Sequence, residues 1–183
     1  MVDINLKNIP YGLSMQLPVY LYLTKNLNKD YEIIGFYLQQ ILFGKFNKDN
    51  KKTLKELKRN NLKLKGYTLG NEEKLANIDS TYLDSELIHG MKLTSKGFGP
   101  YSKVLTQKEI DTIVKITDDK IDECIDSIVN AKFDINPKKI DGKNIGCEFC
   151  KFKDICFMKE EMLVNLKEYK NMEFLGGEED DTN

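Results

Sequence analysis

Cys147, Cys150 and Cys156 stand in the spacing C-x2-C-x5-C, inside ten residues of a chain with one further cysteine, Cys124. A loop this short can aim three thiolates at one centre, and soft sulfur selects zinc or an iron–sulfur cluster over hard, oxygen-loving ions. Phe149, Phe152, Ile155 and Phe157 alternate with the cysteines, as suits apolar shielding of a metal centre. Three reduced core cysteines are the plain alternative, although burial alone asks for no such clustering. Zinc wants four ligands, for which Cys124 and the sole histidine, His89, are the other candidates. Cys124 lies on an apolar helical stripe and reads as a small core residue. His89 reads as a surface or turn residue, so a fourth ligand is expected from outside this sequence.

Twenty-eight basic and 29 acidic residues give a net charge of -1, which excludes the global basic field of a small nucleic-acid-binding module. Any DNA contact must be local. Lys51, Lys52, Lys55, Lys58, Lys63 and Lys65 could track a phosphate backbone, with a merely solvated face as the plain reading. No run approaches the ~20 apolar residues of a membrane span, and the opening MVDINLKNIP has no secretory pattern. The expectation is a cytoplasmic chain without membrane contact, in a reducing compartment where clustered cysteines favour ligation over disulfides.

Hydrophobic spacing organises the rest. Residues 11–27 place Leu13, Leu17, Tyr20, Thr24 and Leu27 on one helical stripe, with Ser14 as a candidate N-cap. YEIIGFYLQQILF suits a buried strand or two short ones, with helix as the alternative; the segment from residue 47 suits a surface helix in its first half and a strand in its alternating second half, LKLKGYTL; and 71–78 suits a short helix. Thr106 to Glu109 form a capping box, after which Ile110, Ile113, Val114, Thr117, Ile121, Cys124, Ile125 and Ile128 recur at helical spacing to about residue 131. Residues 136–146 read as polar and irregular, Lys159 to Tyr169 as a terminal helix, and 176–183 as a disordered acidic tail. One domain is expected over 1–175, with its cysteine segment at 146–158.

On these residues the chain resembles the nuclease domain of AddB, one of the two subunits of the ATP-dependent helicase/deoxyribonuclease and a RecB-like member of the PD-(D/E)xK nucleases. YGLSMQLPVYLY resembles the Q-x-x-x-Y helix, with Gln16 and Tyr20 in the motif positions. LKLKGYTLGNEEKLANID resembles the following strand and turn, SKVLTQKEI the opening of a late helix, and FDINPKK the approach to the cysteines. The cysteine spacing is that of the last three ligands of the family's [4Fe-4S] cluster.

The resemblance implies an α+β fold: part of a restriction-endonuclease-like core, its strands flanked by the Gln16 helix and the helix after Thr106, with a C-terminal iron–sulfur cysteine segment. It implies Mg2+-dependent phosphodiester hydrolysis, 5′ to 3′ on DNA, in double-strand break resection with an AddA-type partner. Gln16 and Tyr20 would support catalysis by positioning DNA or water. Cys147, Cys150 and Cys156 would hold the cluster as a structural staple. In the family the fourth cluster cysteine, the catalytic aspartate and the D/E-x-K pair all precede the Q-x-x-x-Y helix, so this chain is expected to begin after them and to be inactive alone. D/E-x-K tripeptides at Asp49, Glu56, Glu72, Asp118, Asp141 and Glu168 follow no convincing strand and are not assigned. A non-catalytic module binding zinc or an iron–sulfur cluster is the competing reading.

Overall fold

The computed structural model describes residues 4–41, 52–84 and 86–176. Its elements run α1 (Gln16–Leu27), β1 (Gly35–Leu38), α2 (Leu54–Leu62), β2 (Lys65–Leu69), α3 (Glu72–Ile78), β3 (Leu93–Thr94), β4 (Gly97–Phe98), β5 (Val104–Leu105), α4 (Gln107–Val129), β6 (Lys138–Ile140), β7 (Lys143–Asn144) and β8 (Val164–Leu166), with short 3-10 turns between them. The mixture of helices and small sheets is α+β in kind.

β1 pairs antiparallel with β2 and β2 pairs parallel with β5, giving the order β1-β2-β5. Phe36, Tyr67, Leu69 and Leu105 project from this sheet into the main core, where they meet Leu21 of α1, Ile110 and Ile113 of α4, and Ile4, Leu6 and Ile9 of the N-terminal segment. A second cluster of Leu75, Tyr82, Ile88 and Met91 is joined by Tyr37, Phe98 and Val104. The Gln16 helix and the helix after Thr106 thus pack together into the same core cluster against this sheet.

α4 begins as its sequence demands. Thr106 accepts from the Glu109 amide, and the Glu109 carboxylate accepts from the Thr106 amide, closing the capping box. α1 lies antiparallel to it: Lys25 pairs with Asp111, while Met15 and Val19 line a recess with Ile121 and Cys124. Pro18 sits in the first turn of α1, where its missing amide would have had no partner within the helix.

Several expectations are corrected. Ser14 is no N-cap: it adopts a left-handed conformation (φ 57°), and Met15 precedes the helix without a side-chain cap. The buried face of α1 carries Pro18 and Leu21, whereas Tyr20, Thr24 and Leu27 are exposed. Along α4 burial stops at Thr117, and Cys124, Ile125 and Ile128 are exposed. Cys124 is therefore not a core residue. Residues 136–146 contain the β6–β7 hairpin, and the stretch read as a terminal helix instead supplies β8, whose Val164 to Leu166 run parallel to Lys138 to Ile140. The expected acidic tail lies outside the described residues from 177 onward.

Candidate functional sites

Gln16 and Tyr20 occupy successive turns of one face of α1. The Gln16 Nε2 donates to the Tyr20 hydroxyl at 3.4 Å, and both side chains face solvent, with Tyr20 55% exposed. A tyrosine built into a core would be covered, so Tyr20 is not a core residue. An amide and a phenol joined in this way keep donors and acceptors free for a phosphate oxygen or a water molecule.

The D/E-x-K acids within the described residues have other duties or open positions. Glu56 closes the capping box of α2, Glu72 opens α3, and Asp118 lies on the solvent side of α4. Asp141 forms the left-handed turn between β6 and β7. Glu168 accepts from Asn5 and Lys7, which holds its carboxyl below the usual range. Asp49 lies outside the described residues. Among the described residues, no group of three or more His, Cys, Asp and Glu side chains is gathered to hold a metal ion.

The cysteine segment leaves the β6–β7 hairpin through a series of turns. The Cys147 amide donates to Asn144 Oδ1, and the Cys150 amide to the Cys147 carbonyl at 3.4 Å. Cys150 is exposed, whereas Cys147 and Cys156 are half-buried. Phe149, Phe152, Ile155 and Phe157 all face solvent, Phe149 at 88% and Phe157 at 85%. The three thiols share one turn region but are not gathered about one centre among the described residues; soft sulfur at this spacing is the donor type that zinc or an iron–sulfur cluster would need. His89 is exposed, its amide donating to the Leu64 carbonyl beside the Leu64–Ile88 bridge.

Sequence reasoning missed a recess of about 520 Å³ between the start of α1 and the late turns of α4, lined by Tyr11, Met15, Cys124 and Lys138. Lys138 donates to the Tyr11 carbonyl, and burial together with nearby Lys120 lowers its pKa. No local signal marked Lys138, because the strand carrying it is created by long-range pairing.

No family model matches the chain. Proteins named as the AddB component of the ATP-dependent helicase/deoxyribonuclease do: that of Carboxydothermus hydrogenoformans is 27% identical over 171 residues, covering 87% of this chain. The Natranaerobius thermophilus protein is 25% identical over 180 residues, covering 92%, and a Desulfitobacterium hafniense protein 28% identical over 119 residues, covering 64%. The chain spans only about 15% of the length of the first two relatives.

Proposed function

We infer that this chain, a homologue of a segment of AddB of the ATP-dependent helicase/deoxyribonuclease, forms the late part of the DNA nuclease domain of a helicase–nuclease that processes broken DNA ends in recombinational repair. The similarity over 64–92% of the chain to three such proteins carries the reading. The exposed Gln16–Tyr20 pair supports it, because a residue pair that handles DNA must meet solvent before DNA arrives. DNA and an AddA-type protein are its partners in the cytoplasm. The sheet with α1 and α4 is read as part of a PD-(D/E)xK core, acting 5′ to 3′ on an unwound strand.

Magnesium held by carboxylates would activate water and stabilise the leaving oxygen in such a domain. Gln16 orients water or a phosphate oxygen through its amide, and Tyr20 fixes that amide while offering its hydroxyl to the backbone. Asp3 is the one acidic residue ahead of Gln16, so no D/E-x-K pair precedes that helix in this sequence. The chain alone is therefore expected to bind DNA without cutting it. Cys147, Cys150 and Cys156 are the residues that would hold a [4Fe-4S] cluster, and holding it would tie the cysteine segment to the rest of the domain. Zinc at the same thiols, in a non-catalytic interaction module, is the reading favoured by the open apolar flank of Phe149, Phe152, Ile155 and Phe157.

The test incubates the full chain with 5′-labelled single-stranded DNA and Mg2+, following binding by anisotropy and cleavage by gel. Binding that Gln16→Ala and Tyr20→Phe weaken, without cleavage, is expected. Absence of binding would overturn the nuclease assignment, and Mg2+-dependent cleavage would overturn the view that the cutting carboxylates lie elsewhere.

A further inference from the structure

We propose that the basic face of α2 is a track for the phosphate backbone of single-stranded DNA, feeding the end of the sheet at which Gln16 lies; the proposal rests on the nuclease reading above. Residues 52–65 hold six basic side chains against one acid, Glu56, in a chain whose net charge is -1. At about 100° per residue, Lys55, Lys58 and Arg59 fall on one arc of about 100°, and Lys52 stands just ahead of the Thr53 cap. All four are exposed, and α2 buries no residue in either core. Hydrophobic packing thus does not explain why this helix is kept. It is fixed at its ends instead: the Thr53–Glu56 capping box closes the start, and the Gln39 side chain donates to the Leu62 carbonyl at the finish. Glu56, the one acid in the run, is used in that cap. Glu86 holds Arg59 on a flank that Lys52 shares with Glu56 and Asp84, and Lys52 acts on the Glu56 carboxylate across space, while Lys55 and Lys58 form no ion pair among the described residues. Lys55 and Lys58 are left to meet phosphate, with Lys52 ahead of them.

The topology gives the track its direction. α2 ends where β2 begins, and Gln39 follows the last residue of β1, which pairs with Lys65 at that same end of the sheet. α4 starts at the opposite end, directly after β5, and packs Ile110 and Ile113 back over the sheet. Because α1 is antiparallel to α4, its first turn with Gln16 points to the end where α2 finishes. A strand laid along α2 would then reach the Gln16–Tyr20 face. The other charged stretch, Asp118 to Asp126 on α4, carries five acids against Lys120 and would repel the same strand.

Neutralising phosphates releases counterions, so each contact contributes about -0.7 to the slope of log K against log salt for single strands. The experiment measures anisotropy of a labelled oligothymidylate with the full chain across a salt series. Lys52→Glu/Lys55→Glu/Lys58→Glu is compared with a control of equal charge change at other exposed lysines, Lys108→Glu/Lys115→Glu/Lys170→Glu. Circular dichroism checks that both fold. The α2 triple variant should bind at least tenfold more weakly with a slope shallower by about two, and the control should stay within twofold. Equal affinity in the α2 variant and the unaltered chain, or equal loss in the control, would overturn the track and leave the nuclease reading standing. No oligothymidylate binding by the unaltered chain, with or without capture of phosphatidylserine vesicles, would overturn both.

Discussion

Tyr20 and Gln16 face water one helical turn apart, so replacing either removes no core packing. Gln16→Ala and Tyr20→Phe should each change unfolding free energy by no more than about 0.5 kcal/mol in urea titration. A loss of several kcal/mol would show that they are structural. At this scale the sequence was legible where chemistry is encoded locally and misleading where burial decides. That Gln16 and Tyr20 share one face of a helix could be read from their i, i+4 spacing. The exposure of Tyr20 could not, because the apolar stripe drawn through it is one residue out of phase with the face that holds Pro18 and Leu21. Cys124 misled in the same way: its stripe is periodic, but Cys124 stays exposed at the recess it shares with Tyr11, Met15 and Lys138, and Cys124→Ser should accordingly be close to neutral.

At the scale of elements, α4 shows both outcomes. Its capping box was visible in the four residues Thr106 to Glu109 and is formed as expected. Thr106→Ala should lower stability by about 1 kcal/mol, measured by chemical denaturation. The two halves of its stripe should then separate sharply. Ile113 is fully buried, and Ile113→Ala is expected to cost about 2–5 kcal/mol. Ile125 is exposed, and Ile125→Ala should cost less than about 1 kcal/mol; equal costs would contradict this packing. β8 was not legible at all. Local spacing in residues 159–169 suits a helix, whereas the structure pairs Val164 to Leu166 with β6, and strand formation depends on such partners more than on intrinsic preference.

Across the whole molecule, the N-terminal segment is tied to the stretch after β8. Glu168 accepts from Asn5 and Lys7, Tyr11 donates to the Lys167 carbonyl, and the Tyr11 and Tyr169 rings lie 5.3 Å apart. The hydrogen bonds from Asn5 and Lys7 lower the Glu168 pKa in the folded chain. Its contribution is therefore present above the unfolded value of about 4.3 and is lost as pH falls through the lower folded value. Melting temperature recorded from pH 5 downward should fall more steeply for the unaltered chain than for Glu168→Gln; parallel curves would show that the tie carries no charge-dependent stability.

The cysteine segment closes the account at this scale, because a cluster there would cover what Phe149, Phe152, Ile155 and Phe157 leave open and couple metal binding to folding. Anaerobic reconstitution of the full chain, followed by iron and acid-labile sulfide analysis, tests this most directly. Iron and sulfide in equal amounts, at less than one cluster per chain and abolished by Cys150→Ala, is the result expected from three thiolates awaiting a fourth ligand. Zinc in place of iron, no bound iron, or a full cluster on every chain would contradict it.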